Sequence, residues 1–278
     1  MRRALITHND LDGLGSAVLV YLGDLNFDDV YVWQYGIYDR KLIESYDEVI
    51  VTDLSFAPEQ VPVNMTIFDH HESSKWLMYD PSSKHQWNDK SCGTELFYNK
   101  FWIKQRTPII NQFVELVRVY DIWQSDDKRF AQATDLNRFF QGMIEPIGNK
   151  NNTKVISNKR LVNGPFMHFI QSMAKTLKSQ ATTFSFDKNQ QKVIDEMVKI
   201  ENKAYQAALK TLQVYGTIAV CEVTGPYASF VCNKILDTRK DVKIAVAKYP
   251  RADYCSLRSH DVDMSEFQGF KEIGRAHV

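Results

Sequence analysis

Three short stretches of the chain carry acids and histidines in patterns that could do chemistry. The first is His8-Asn9-Asp10-Leu11-Asp12-Gly13. The second is Asp53, directly after Val49-Ile50-Val51-Thr52. The third is Asp69-His70-His71, directly after Met65-Thr66-Ile67-Phe68. Asp121 adds a further acid. Asp and His are ligand types for Mn, Fe, Co and Zn. Carboxylates gathered in one place repel one another unless cations lie between them. Asp10, Asp12, Asp53 and Asp121 sum to four negative charges, which two divalent ions balance. Two such ions ~4 Å apart share a nucleophilic hydroxide and clamp a phosphate.

Each signal alone has a plainer reading. An Asp after a strand commonly caps a turn or helix, and for Asp53 in isolation that reading is favoured. A His pair is more often structural than ligating. Asp10-x-Asp12-Gly13 imitates a calcium loop starting at His8, but that loop needs a Glu where Leu19 stands. No phosphate-cradling glycine loop of the Walker or dinucleotide type is present. Ser16 has no partnered base in a recognisable motif. Three clusters in this order are far less expected by accident than any one of them.

These residues need elements that bring them together. Residues 4–7, 30–33, 49–52 and 65–68 are short apolar runs that read as strands. Residues 13–22 read as a helix closed by Gly23, and residues 39–46 as another. Strands and helices in alternation, with near-continuous apolar strands, predict an α/β fold with a parallel, doubly wound sheet. Ligands bind such sheets at the carboxyl ends of the strands. Three strand ends then deliver four Asp and three His to one edge. Further helices are predicted at 91–103, at 107–122 with Thr107 as N-cap and Pro108 in the first turn, and at 130–143. Residues 147–158, polar and rich in Asn and Lys, read as a loop. Residues 187–212 read as one long polar helix joining two domains. After Gly216 come a strand at 217–223, a helix at 227–236, and strands at 242–248 and 253–258. The expected organisation is a catalytic metal-binding domain at 1–185, a helical connector at 186–213, and a smaller, incomplete α/β substrate domain at 214–278.

Bulk properties bound the partners. Hydrophobic residues make up 44% and charged residues 24% of 278 positions, the profile of a folded chain with a real core. Lys plus Arg and Asp plus Glu number 34 each. Without a basic excess, short or small substrates are favoured over long nucleic acid. Cys92, Cys221, Cys232 and Cys255 form no CxxC pair and no zinc-finger spacing, and read as reduced thiols of a cytoplasmic protein. No stretch approaches the ~20 apolar residues of a membrane span. The last six residues, Ile273-Gly274-Arg275-Ala276-His277-Val278, match what a common sequencing adapter encodes. They read as an assembly scar on a gene that runs on, so His277 is given no role.

With its motifs in this order, the sequence resembles the DHH phosphoesterase superfamily. That group includes RecJ-type exonucleases, nano-RNases, cyclic-dinucleotide phosphodiesterases and family II pyrophosphatases. His8 to Ser16 resembles the first motif, Val51-Thr52-Asp53-Leu54-Ser55 the second, Phe68-Asp69-His70-His71 the third, and Val119-Tyr120-Asp121-Ile122-Trp123 the fourth. The resemblance implies that His8 and Asp10 bind one metal, that Asp12, His70 and Asp121 bind another, and that Asp53 bridges both. Two divalent ions are implied, Mn²⁺ first, with Mg²⁺ or Co²⁺ as substitutes. Asp69 would orient a ligand His through its other ring nitrogen. His71 would contact the scissile phosphate and assist the leaving oxygen as a general acid. Tyr120 and Trp123 are read as core packing.

The second half resembles the family's associated substrate domain. Tyr254-Cys255-Ser256-Leu257-Arg258-Ser259 is similar to its Ser-Leu-Arg-Ser strand, and Val262-Asp263-Met264-Ser265 to the helix start that follows. The family's GGGH motif is missing, with Gly274-Arg275-Ala276-His277 a poor substitute. Arg258 is a candidate for the substrate's far phosphate, since its fork suits phosphate. A surface salt bridge is the competing reading. Ser259, Asn233 and Ser229 are further candidates. The resemblance implies a metal-dependent phosphodiesterase, nano-RNase-like, releasing nucleoside monophosphates from short oligonucleotides. A cyclic mono- or dinucleotide phosphodiesterase and a RecJ-like single-strand exonuclease stay open. So do a metal-containing nucleotide-binding module without turnover, a structural protein, and a homodimer. The HxD spacing and the Leu-Arg-Ser strand argue against a pyrophosphatase.

Overall fold

Apolar strands flanked by helices form two units, Met1–Ile194 and Asp195–Val278. The computed structural model describes the chain except residues 24, 83, 145–151, 163, 165, 251–254, 260, 261 and 263–278. Tyr254, the helix start at 263–265 and the tail at 273–278 therefore lie outside the described residues.

The first unit contains β1 (Arg3–His8), α1 (Leu11–Leu22), β2 (Asp29–Trp33), α2 (Arg40–Glu44), β3 (Glu48–Thr52), β4 (Met65–Asp69) and β5 (Gln86–Trp87). It continues with α3 (Gly93–Phe101), α4 (Pro108–Asp121), α5 (Phe130–Met143), β6 (Asn152–Ser157), β7 (Arg160–Leu161), α6 (Met167–Ser179) and the start of α7 (Lys188–Leu209). Among the described residues its seven strands run in the order β5-β4-β3-β1-β2-β6-β7. The first five are parallel, and β6 and β7 extend the sheet antiparallel.

Both faces of the sheet are covered, which is why its strands read as continuous apolar runs. Leu5, Val30, Val32, Ile50 and Phe68 face a core shared with α1, α3, α4, α5 and α6. Their alternating neighbours Ala4, Ile6, Tyr31, Trp33, Val49, Val51, Met65 and Ile67 face a second core with Ile43 of α2, Tyr46, Phe56 and Leu77. Each such Leu, Ile or Val side chain taken fully from water contributes roughly 1.5–3 kcal/mol.

The loop expected over 147–158 is corrected by β6. Its backbone pairs with β2 from Asp29↔Ser157 to Trp33↔Asn152. Val155 and Ile156 bury that strand in the core, and polar contacts add to them at Asp29. The Ser157 hydroxyl donates to Asp29 Oδ1 at 2.7 Å, and Lys154 Nζ lies 3.2 Å from the same oxygen. A 3-10 helix at Glu72–Tyr79, α6, and strands β5 and β7 were not anticipated.

The second unit holds β8 (Gln213–Tyr215), β9 (Ile218–Glu222), α8 (Ala228–Thr238), β10 (Ile244–Lys248) and β11 (Cys255–Ser259), with the remainder of α7. Its sheet has the order β11-β10-β9-β8, with β9 and β10 parallel. Val231, Cys232, Ile235 and Leu236 of α8 pack on Ala219, Cys221, Ala245 and Ala247. All four cysteines are free. No helix among the described residues is long and apolar enough to cross a membrane.

Candidate metal centre

β1, β3 and β4 are adjacent and parallel, so their carboxyl ends share one edge. β1 ends on His8, Asp53 follows β3 at once, and β4 ends on Asp69, ahead of His70 and His71. Asp10 is the N-cap of α1, where its Oδ1 accepts the Gly13 N–H at 3.1 Å. Its Oδ2 lies 2.9 Å from His8 Nδ1. Capping and ligation by Asp10 are compatible because they use different oxygens.

Asp12 lies in the first turn of α1 and is fully buried. Its carboxylate meets the N-terminus of α3. The Gly93 N–H donates to Oδ2 at 2.6 Å and the Thr94 N–H to Oδ1 at 2.8 Å. The Thr94 hydroxyl donates to the Asp12 carbonyl. Unpaired amides at a helix start favour an anion there. Asp121, the last residue of α4, places Oδ2 3.1 Å from His70 Nε2.

Asp53 is buried at the centre. Its φ is +59°, in the left-handed region that non-glycine residues seldom occupy. Its N–H donates to the Phe68 carbonyl at 3.0 Å. Its Oδ2 lies 3.5 Å from His8 Nδ1, and its Oδ1 lies 3.5 Å from His70 Nε2. One carboxylate thus turns an oxygen to each of two groups, His8-Asp10-Asp53 and Asp12-His70-Asp121. In each, the donor atoms lie within 4.8 Å of one another. Asp53, Asp69, His70 and His71 form a third such grouping.

The electrostatics of the cluster call for positive charge. Burial pushes the Asp12 carboxyl well above its ordinary range, and Asp53 and Asp121 push it further. Burial would lower the His8 imidazole, but Asp10 and Asp53 outweigh it and raise the group to about 9. His70 follows suit: burial is outweighed by Asp121, Asp53 and Asp12, and its pKa rises to about 10. Protons on these rings supply what a cation would supply. His8 Nδ1 is fully buried, and its contacts with the two carboxylates are not aligned as hydrogen bonds. Imidazole nitrogens and carboxylate oxygens, converging and buried, fit a divalent metal.

His71 is held by different partners. Asp69 Oδ1 lies 2.7 Å from His71 Nδ1 and accepts the His70 N–H at 2.8 Å. Its Oδ2 accepts the hydroxyls of Ser55, at 2.9 Å, and Ser74. Burial raises the Asp69 carboxyl, but His71, His70 and the Ser74 hydroxyl outweigh it and hold the group well below the usual carboxylate range. The Trp87 indole N–H donates to the His71 carbonyl at 2.7 Å. On the far side of the ring, the Tyr35 hydroxyl lies 3.1 Å from His71 Nε2.

This chain matches the fold of a DHH domain from a member of a family of ribosomal proteins, with a TM-score of 0.59. The identity is 11%, covering 94% of this chain and 74% of that one. The fold is that of a DHH domain. A second structure, the pGpG-specific phosphodiesterase PggH from Vibrio cholerae, matches with a TM-score of 0.52 at 16% identity, covering 90% of this chain and 78% of that one. Oligoribonuclease NrnB of Bacillus subtilis (strain 168) is 25% identical over 49% of this chain and 40% of its own length, so the chain spans less than half of that relative. No family model matches the sequence.

The six metal-ligand candidates of the DHH-type domain therefore converge, with Asp69 and His71 beside them. Tyr120 and Trp123 pack at ring centroids 5.7 Å apart, and the Tyr120 hydroxyl accepts from Asn137 Nδ2 at 2.7 Å. In the second unit, Arg258 donates to the Ser229 hydroxyl at 2.6 Å and to the Leu257 carbonyl at 2.7 Å. The Ser259 hydroxyl donates to the Lys243 carbonyl at 2.8 Å and accepts the Val262 N–H at 2.9 Å. Asn233 is buried on α8. Gly93, Thr94, Ser55, Ser74 and Tyr35 were missed. For Gly93 a signal existed: it opens a helix behind Cys92, which offers no side-chain cap where Ser, Thr, Asp or Asn would. Tyr35 sits in a loop and carried none.

Proposed function

We propose that this chain is a metal-dependent phosphodiesterase that hydrolyses short oligonucleotides to nucleoside monophosphates. Asp53 carries the reading, with its two oxygens opposed between two donor groups. His8 and Asp10 would hold one divalent ion, Asp12, His70 and Asp121 a second, and Asp53 both. Mn²⁺ suits this mixture of imidazole and carboxylate, with Mg²⁺ or Co²⁺ as substitutes. Ions bound there supply positive charge for a phosphate and a water of lowered pKa.

The chain's own residues do the rest. Asp69 is the positioning residue: held ionised, it fixes His71 through Nδ1. His71 Nε2 is then the atom that contacts the scissile phosphate, and when protonated there it serves the leaving oxygen as general acid. The name of the curated relative, an oligoribonuclease, supports a short RNA as substrate. Arg258 would grip the distal phosphate, with Ser229 steering its guanidinium, and Ser259 and Asn233 shape that part of the second unit.

The test is incubation with a 5′-phosphorylated dinucleotide and Mn²⁺, with and without chelator. Mononucleotide release that chelator abolishes is expected, and Asp53→Asn should abolish it as well. Release of no mononucleotide in either condition overturns the reading. Tight dinucleotide binding without release would instead point to a binding module.

A further inference from the structure

The loop after β2 brings a phenol to the ring that is proposed to meet the phosphate. Gln34 to Ile37 form a turn closed by the Ile37 N–H on the Gln34 carbonyl at 3.3 Å. Gly36 sits third in it with φ +80°, as a type II turn demands at that place. Tyr35, second in the turn, projects between two imidazoles. Its ring centroid lies 4.3 Å from that of His8 and 5.8 Å from that of His71, edge-on to the latter at 87°. Its hydroxyl reaches His71 Nε2 at 3.1 Å.

The direction of this hydrogen bond follows from the other side of the ring. Asp69 Oδ1 faces His71 Nδ1 and Oδ2 accepts from two hydroxyls, so an ionised carboxylate leaves Nδ1 as the donor. Nε2 of the neutral ring then accepts the Tyr35 O–H. Tyr35 therefore holds the ring at Nε2 until a phosphate takes that atom, while Asp69 holds it at Nδ1.

We propose that Tyr35 is a positioning residue. In the substrate-free protein its hydroxyl holds His71 Nε2 at the point from which that atom is handed to the phosphate, and its ring sets the plane of His8. The proposal rests on the phosphodiesterase reading for its kinetic consequence, but not for its spectroscopic one. Tyr35→Phe removes the hydroxyl and keeps the ring, whereas Tyr35→Ala removes both. In metal-free and in Mg²⁺-loaded protein, long-range ¹H–¹⁵N spectra should show the His71 Nε2 resonance moving in Tyr35→Phe while the His8 resonances stay. In Tyr35→Ala both should move, and Mn²⁺ affinity should fall. With a 5′-phosphorylated dinucleotide and Mn²⁺, Tyr35→Phe should lower kcat/KM about tenfold, the loss of one hydrogen bond that presets the ring, with Mn²⁺ affinity unchanged. An unmoved His71 Nε2 resonance in Tyr35→Phe overturns the proposal. So does an unchanged kcat/KM, or a loss of Mn²⁺ affinity in Tyr35→Phe equal to that of Tyr35→Ala. If wild type releases no mononucleotide, the phosphodiesterase reading fails, and the spectra still decide the link between Tyr35 and His71.

Discussion

The N–H of Gly93 donates to Asp12 Oδ2 at 2.6 Å across 81 positions of sequence. The start of α3 is thereby part of the acid cluster. No larger residue fits there, because a Cβ on Gly93 would stand 2.7 Å from Asp53 N and 2.9 Å from Asp53 Cβ. Gly93→Ala must push α3 away from both aspartates. The expected cost is about 1–3 kcal/mol of stability, as for other overpacked cores. Weakened Mn²⁺ binding should accompany it. Thermal unfolding and calorimetric Mn²⁺ titration measure the two effects, and a variant matching wild type in both would show that the contact is dispensable.

Chelator should destabilise metal-loaded protein, because the buried carboxylates Asp12 and Asp53 and half-buried Asp121 then have only the rings of His8 and His70 as nearby positive charge. At free Mn²⁺ about 100 times its Kd, the gain over the stripped protein is roughly 2.7 kcal/mol. Differential scanning fluorimetry with EDTA and then with excess Mn²⁺ reads it directly. Asp53→Asn should flatten the response. An identical Tm in EDTA and in Mn²⁺ would contradict a metal site.

His85 gives a pH dependence separate from the metal cluster. The Ile67 N–H on β4 donates to His85 Nδ1 at 2.9 Å, which requires that nitrogen unprotonated. Burial lowers the imidazole below its ordinary value, against the pull of Asp80. The unfolded chain takes up a proton as pH falls through about 6.5, while the native protein resists until lower pH. This contribution is therefore present above about 6.5 and lost as pH falls below it. His85→Asn keeps an acceptor and cannot titrate. Its Tm should fall less than that of wild type between pH 7.5 and 5.5, and parallel profiles would refute the assignment.

Arg258 should act on binding rather than on the chemical step. Hydrogen bonds to charged groups contribute about 1.5–3 kcal/mol. Arg258→Ala should raise KM for a phosphorylated dinucleotide about 10- to 100-fold and leave kcat nearly unchanged. A drop in kcat at constant KM would move Arg258 out of that role.

Much of the site was legible because strand ends are. A run such as Val49-Ile50-Val51-Thr52 has little choice but a buried strand, and the acid after it falls at the sheet's edge. Thr107 and Pro108 opened α4 as their chemistry requires, and α5 spans Phe130–Met143 as its pattern predicts. β6 was illegible because Asn152-Thr153-Lys154 reads as loop and only Val155-Ile156 is apolar; its strand state comes from pairing with β2, burial of those two residues and contacts to Asp29. α6 carries Phe169, Ile170, Met173 and Leu177 at helical spacing, but Phe166 before it gives no side-chain cap to mark a start. The pairing of Asp69 with Ser55 and Ser74, and of Tyr35 with His71, depends on contacts between segments distant in sequence, and no local pattern records those.

Asp53 lies in a backbone conformation that its own side chain disfavours, by of order 1–3 kcal/mol for such residues. The unfolded chain therefore seldom presents this carboxylate in its native pose. Ion uptake at this site would then be a late event, following closure of β3, β4 and α3 around that residue. The rate at which apoprotein captures metal would then report how often the finished fold opens, rather than how fast the chain collapses.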